Sequence, residues 1–222
     1  MIEAILFDCD GVLVDSEILA VEVETQMLAE LGLPYDPNEF KARFMGMSDK
    51  AFFAELDADS VERLGKPLPG DFELRCRERL YVEVGKRLVA VDGAIDAVRA
   101  WSRAKGVASS STTDKLEIKL RKVGLFEDFH PHVYSADHVT HAKPAPDLFL
   151  YAAKSLNVEP SRCLVIEDSV NGVRAALAAD MQVWGFAGGG HMDEAARSRL
   201  HSAGVGRMLA SWPEAAVLFA AL

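Results

Sequence analysis

Asp8 and Asp10 stand two residues apart in ILFDCDGVLVD, residues 5–15, where an apolar run gives way to glycine. Two carboxylates so placed repel each other and resist burial, so a metal ion, a proton or a phosphoryl group in transit must hold them. Alternate residues of an extended chain point to the same side, which lets both acids face one ligand. Carboxylates with main-chain carbonyls and water make an oxygen-rich site for a hard cation, and Mg2+ is typically held by one or two of them plus substrate phosphate. An aspartate beside Mg2+ can attack phosphorus and form an aspartyl-phosphate. The second can protonate the leaving oxygen and later take a proton from attacking water.

These acids need partners, and the elements of the chain supply them. Ile2 to Phe7 reads as a buried strand ended by Asp8. From Ser16 the apolar residues Ile18, Leu19, Val23, Met27, Leu28 and Leu31 recur at helical spacing until Gly32 and Pro34. The segment to about residue 90 stays helical in style, with a polar start at Ser48 and Asp49 and another helix over Phe72 to Leu88. After Val91-Asp92-Gly93 helices and strands alternate: helix 94–105, strand 107–109, helix 114–123, strand 133–135, helix 147–156, strand 163–167, helix 170–179 and strand 182–186. Such alternation predicts an α/β core with a parallel sheet covered on both faces. The apolar AAVLFAAL reads as a final core helix.

Ligands of such sheets bind at the carboxyl ends of the strands. There the sequence places Asp8 and Asp10, then Ser109-Ser110-Ser111-Thr112, then Lys143 after a short loop, then Glu167-Asp168-Ser169. Lys143 and the Ser109 hydroxyl suit the side of a phosphoryl group that faces away from a metal.

The totals narrow the class. A chain of 222 residues, half of it hydrophobic, fits one large domain or a core with an insertion. A net charge of −10 argues against nucleic acid or an anionic membrane as partner, since both require clustered Lys and Arg. Cys9, Cys76 and Cys163 are scattered without a CxxC, which suggests reduced thiols in the cytoplasm. MIEAILFDCD is unlike a signal peptide, and no apolar run reaches the ~20 residues that span a bilayer.

DCDGVLVDS, GVASSST, AKPAPD and VIEDSVNGVRAA, in this order, resemble the four motifs of the haloacid dehalogenase superfamily, and most closely its β-phosphoglucomutase-like phosphatases. The resemblance covers nearly the whole chain. It implies a Rossmann-like core at residues 1–15 and 91–222 and an inserted α-helical cap at 16–90, with hinges near Val14–Glu17 and Ala90–Gly93. It implies Asp8 as nucleophile and Asp10 as general acid/base. Ser109, with Ser110 beside it, would bind a phosphoryl oxygen, and Lys143 would neutralise charge. Asp8, Asp168 and the carbonyl of Asp10 would hold Mg2+, with Glu167 as a further or outer ligand. The substrate implied is a small phosphomonoester, a sugar phosphate first.

Superfamily dehalogenases lack the second aspartate, because a halide leaves without a proton; Asp10 therefore favours phosphoryl chemistry. True β-phosphoglucomutases carry a His in the first cap helix and basic residues in the cap. The matching positions here are Ala20, Met45 and Asp49, which favours hydrolysis over hexose-phosphate mutation. A signalling receiver also uses an acidic pair with Ser/Thr and Lys, but its phospho-acceptor lies on a later strand and its domain is about half this length.

Other features read more plainly. His130, His132, His138 and His141 lack a metal-ligand spacing and read as loop and surface residues. GGG at 188–190 lacks the GxGxxG spacing and reads as a flexible loop before a helix starting near Asp193. Asp15 reads as a cap of the first inserted helix. Gly46 reads as a turn or a close approach to the site. Arg43 and Lys50 are candidates to grip a polar substrate.

Overall fold

Ala4–Phe7 (β1) is apolar at every position because it lies in the middle of a parallel sheet with both faces covered. The computed structural model describes residues 1–44, 47 and 49–222, without the side chains of 49 and 50. The readings placed on Met45, Gly46 and Ser48, and on the side chains of Asp49 and Lys50, lie outside the described residues.

The helices α1 (Ser16–Glu30), α2 (Pro37–Phe44), α3 (Asp49–Leu64) and α4 (Phe72–Arg87) follow β1. Next come α5 (Ala94–Ala100), β2 (Ala104–Ser109), α6 (Thr113–Lys122), α7 (Phe126–Phe129), β3 (Val133–Ser135) and α8 (Asp147–Leu156). The chain ends with β4 (Cys163–Glu167), α9 (Val170–Ala178), β5 (Gln182–Phe186), α10 (Glu194–Ser202), β6 (Arg207–Leu209) and α11 (Trp212–Phe219). Among the described residues the sheet has six parallel strands in the order β3-β2-β1-β4-β5-β6. The strand order reverses beside β1, so the carboxyl end of β1 lies at the switch point where such sheets bind ligands.

Two compact units divide the chain: Met1–Ser16 with Leu88–Leu222, and Glu17–Arg87. In the first, one sheet face packs Leu6, Ala108, Val165 and Val183 against Leu148, Phe149, Ala152, Val173, Ala176 and Leu200. Aromatic rings are concentrated elsewhere in this unit, where Phe7 meets Phe129, Trp212 and Phe219 at centroid separations of 5.7, 5.8 and 6.4 Å. Trp212 also donates from Nε1 to the carbonyl of Val12 at 2.9 Å, which fixes the turn that follows β1. That turn is closed by Gly11 N–H to Val14 O and Leu13 N–H to Cys9 O. Val14 then bridges antiparallel to Ala90, which ties the two segments of the first unit together. The second unit is helical, with Phe40, Phe44, Phe52 and Phe72 buried beside Met27, Leu28, Leu33 and Leu56.

The helix expected over 94–105 stops at Ala100, and the following strand begins at Ala104 rather than Val107. One contact of the folded chain holds the two ends together. Lys105 donates from Nζ to the carbonyls of Val98 and Trp101 at 2.8 and 3.3 Å, so a strand lysine satisfies the end of the preceding helix. The helices α2 and α7 and the edge strand β6 were not assigned from the sequence.

Candidate active site

Each polar residue singled out at a strand end lies in the first unit, and the parallel register explains which of them meet. Phe7 is level with Val107 on one side and Ile166 on the other, so Asp8 emerges between the ends of β2 and β4. Its backbone N–H continues the ladder to Ile166 O at 3.0 Å. Oxygens of Asp8, Glu167 and Asp168 come within 4.8 Å of one another.

Lys143 crosses into this group from the loop before α8, with only 3% of its side chain exposed. It donates to Asp8 Oδ1 at 2.7 Å, Glu167 Oε1 at 2.7 Å and Ala108 O at 2.8 Å. An ammonium has three N–H donors, and each is used. Burial alone would lower the Lys143 pKa; the charges of Asp8 and Glu167 outweigh it and raise the value. Asp8 moves the other way for a carboxylate. Burial pushes it well above the usual range, Lys143 opposes this, and Glu167, Asp168 and Asp10 add to the rise.

Glu167 is fully buried, and its second oxygen accepts from Ser169 N–H at 3.0 Å and Ser169 Oγ–H at 2.9 Å. Ser169 in turn caps α9 by accepting from Gly172 N–H at 3.0 Å. A Cβ on Gly172 would fall 1.8 Å from Glu167 Oε1, so the close helix approach depends on glycine. Gly11 has φ +73°, and a Cβ there would fall 1.9 Å from Asp168 Oδ2. Backbone thus passes close to the acidic trio at two points.

Asp10 does not join that trio and has its own set of partners. Its Oδ2 accepts from Ser111 Oγ–H at 3.0 Å, and its Oδ1 accepts from Lys119 at 2.5 Å and from Ser16. Burial pushes the Asp10 carboxyl up, but the charge of Lys119 and hydrogen bonds from Lys119, Ser16 and Ser111 leave it below its ordinary value. Ser109 is buried at the end of β2, accepts from Ser111 N–H at 3.1 Å, and is followed by exposed Ser110. Ala20 is half-buried in α1.

Lys119 escaped the sequence reading. It lies three residues after buried Leu116 and one before buried Leu120, so it is a lysine on the apolar face of α6, and that was the available signal. His191 escaped it too: its Nε2 lies 2.9 Å from Asp168 Oδ2, just after the triple glycine. Arg43, considered for substrate binding, is engaged within the helical unit. It holds Asp59 through two bonds of 2.6 and 2.7 Å, Glu55 at 2.9 Å, and stacks on the Phe44 ring. The four histidines of residues 130–141 form no acidic or thiol cluster among the described residues; His138 stacks on Tyr151 at 5.4 Å and His132 bonds Tyr134 at 2.7 Å. All three cysteines are free and buried. Among the described residues no helix is long and apolar enough to cross a membrane.

An acidic trio, a buried lysine and a second aspartate thus meet at the switch point of a parallel sheet, where such folds bind ligands. The haloacid dehalogenase-like hydrolase family model matches residues 2–180, and the chain belongs to that family. A 6-phosphogluconate phosphatase of Escherichia coli is 30% identical over 190 residues, covering 86% of this chain and 85% of its own. A family hydrolase from Deinococcus radiodurans, solved with bound phosphate and sodium, is 36% identical with a TM-score of 0.82, covering 96% of this chain and 93% of its own. A Thermotoga maritima protein provisionally named a β-phosphoglucomutase is 26% identical with a TM-score of 0.81, covering 100% of both chains. The chain is an enzyme of the phosphatase and β-phosphoglucomutase-like branch, a phosphoric monoester hydrolase.

Proposed function

We propose that this enzyme hydrolyses a small sugar phosphate with Mg2+, through an aspartyl-phosphate on Asp8. The observation that carries the reading is Lys143, buried and bonded at once to Asp8 and Glu167. Such a lysine leaves Asp8 in a fixed orientation with its charge partly balanced. The fit to a hard divalent cation is supported by the all-oxygen trio of Asp8, Glu167 and Asp168, and by Gly11, whose missing Cβ leaves room beside Asp168. Asp8, Asp168 and the main-chain carbonyl of Asp10 would hold the ion, with Glu167 outside them because both its oxygens are engaged by Lys143 and Ser169. When bound, Mg2+ supplies charge for the phosphoryl oxygens.

The chain's own residues do the rest. An Asp8 oxygen forms a bond to phosphorus while the ester P–O bond breaks; Asp10, a carboxylate before substrate binds, takes up a proton as the anionic substrate seats beside it and gives that proton to the departing oxygen. Asp10, now a carboxylate, takes a proton from water as the water oxygen bonds to phosphorus and the Asp8 P–O bond breaks. Inorganic phosphate leaves, and Asp8 and Asp10 return to their starting states. Ser109 and Ser110 would offer donors to the phosphoryl oxygens, with Lys143 balancing their charge. The Lys119–Ser111–Ser16 set supports this division of labour, because it orients Asp10 apart from Asp8. The helical unit Glu17–Arg87 would serve as a cap that excludes water until substrate is seated. The three free cysteines favour a cytoplasmic setting for this chemistry.

The test is phosphate release from sugar phosphates, phosphoglycolate and p-nitrophenyl phosphate, with Mg2+ and with EDTA. Release that needs Mg2+ and is strongest for a sugar phosphate is expected. Release undiminished by EDTA would refute the metal role. Isomerisation of a sugar phosphate stimulated by a sugar bisphosphate, without net phosphate release, would replace the hydrolase with a mutase.

A further inference from the structure

We infer that His191 is a positioning residue for the divalent ion: it holds the Asp168 carboxylate in its ion-binding orientation from a pocket cleared by Gly11 and Gly189. The inference rests on the metal reading above. His191 Nε2 lies 2.9 Å from Asp168 Oδ2, and each side chain is 9% exposed. Asp168 belongs to the trio whose oxygens approach within 4.8 Å; His191 stands outside it, touching one member. A carboxylate that must meet an ion loses rotational freedom on binding. An outer hydrogen bond removes that freedom beforehand, which is why partners of metal ligands typically alter metal affinity by about 10–100-fold.

Two distant segments make room for the ring. A Cβ on Gly11, in the turn after β1, would fall 2.5 Å from His191 Cε1. A Cβ on Gly189, in the loop after β5, would fall 2.7 Å from the same atom and 2.6 Å from Gly11 O. A side chain at position 11 would displace the imidazole or the carboxylate, and one at position 189 the imidazole or the Gly11 carbonyl. The loop is itself fastened at its ends: Ala187 N–H donates to Leu209 O at 2.8 Å, and Gly190 N–H to Asp15 Oδ1 at 3.3 Å. The triple glycine, read from the sequence as a flexible loop, therefore has a role in shaping the site.

The test is calorimetric titration of Mg2+, and separately Mn2+, into the metal-free full chain and its His191→Ala, His191→Gln and Gly189→Ala variants, with circular dichroism to verify folding. His191→Ala is expected to weaken both ions by a similar factor of about 10–100. His191→Gln, which keeps an N–H donor, is expected to recover part of that loss, and Gly189→Ala to reproduce it with the histidine still present. Unchanged affinity in folded His191→Ala and Gly189→Ala would overturn the inference and leave the metal reading intact. A loss confined to Mn2+, the ion more tolerant of nitrogen ligands, would overturn positioning in favour of direct ligation. Wild-type protein that binds neither ion would overturn both readings.

Discussion

Lys143→Met keeps most of the length of the side chain and removes the charge that Asp8 and Glu167 share. The consequence can be worked from the geometry. Two carboxylates at the 4.8 Å limit of the trio repel by roughly 3–4 kcal/mol at an effective dielectric of about 20. Removing one member of a buried ion pair typically costs about 3–5 kcal/mol, in agreement. The expected loss of stability is therefore about 3–5 kcal/mol at neutral pH without metal. Its pH dependence has a definite sign. With Lys143 gone, Asp8 loses the charge that opposes its raised pKa, so the folded state takes up a proton more readily than the unfolded chain. A raised acid contributes most below its unfolded value, near 4, and loses that contribution as pH rises through the folded value. The deficit of the variant is thus smallest in acid, near the ~1–2 kcal/mol of lost hydrogen bonds, and largest at neutral pH. Mg2+ at about 100 times its dissociation constant should restore roughly 2.7 kcal/mol. Trp101, Trp184 and Trp212 all lie in the unit that holds Lys143, so urea unfolding followed by tryptophan fluorescence reads the right part of the chain. A loss under about 1 kcal/mol at neutral pH, or one that grows as pH falls, would refute the reasoning.

Four further substitutions have expected outcomes. Asp8→Asn should abolish turnover and Asp10→Asn should lower it by about 10²–10⁴, the usual worth of a general acid/base, in a phosphate-release assay. Lys119→Met should lower kcat/KM for a sugar phosphate by about 100-fold and for p-nitrophenyl phosphate by less than about threefold, because nitrophenolate leaves without a proton and an ill-placed Asp10 matters little; equal losses on both would contradict a role through Asp10. In the helical unit, burial raises the Asp59 carboxyl, but bonds from Arg43 and Tyr35 prevail and leave its pKa lowered. Its contribution is present above the unfolded value near 3.9 and is lost as pH falls through the folded value. Because Arg43 is 43% exposed, solvent screening limits the cost of Asp59→Asn to about 1 kcal/mol, read from tyrosine signals since that unit contains Tyr35 and Tyr81.

Much of the core was legible because its signals are local. Asp8, Glu167 and Asp168 are charged residues at strand ends, and a parallel sheet brings such ends together; Lys143 reaches them from the loop between β3 and α8. The strands β3, β4 and β5 match the expected ranges because each is a short β-branched or aromatic run between turn residues. What escaped depends on tertiary contact. The edge strand β6 is three residues, RML, with Arg207 exposed, and nothing in that run alternates. Lys105 looked like the end of a helix because its capping of the α5 carbonyls is visible only in three dimensions. Lys119 lies on the apolar face of α6, but its partners Asp10 and Ser111 lie outside that helix and are set only by the fold. Gly188–Gly190 looked empty of chemistry because the relevant feature is the space that Gly189 leaves for His191.

The most direct measurement of the central claim is rapid acid quenching of the enzyme with a 32P-labelled sugar phosphate and Mg2+, followed by peptide mapping. A transient, hydroxylamine-labile label on Asp8, absent with EDTA and absent in Asp8→Asn, is the expected result. Phosphate release at full rate with no label on Asp8 at any time, or with Asp8→Asn as active as wild type, would contradict it.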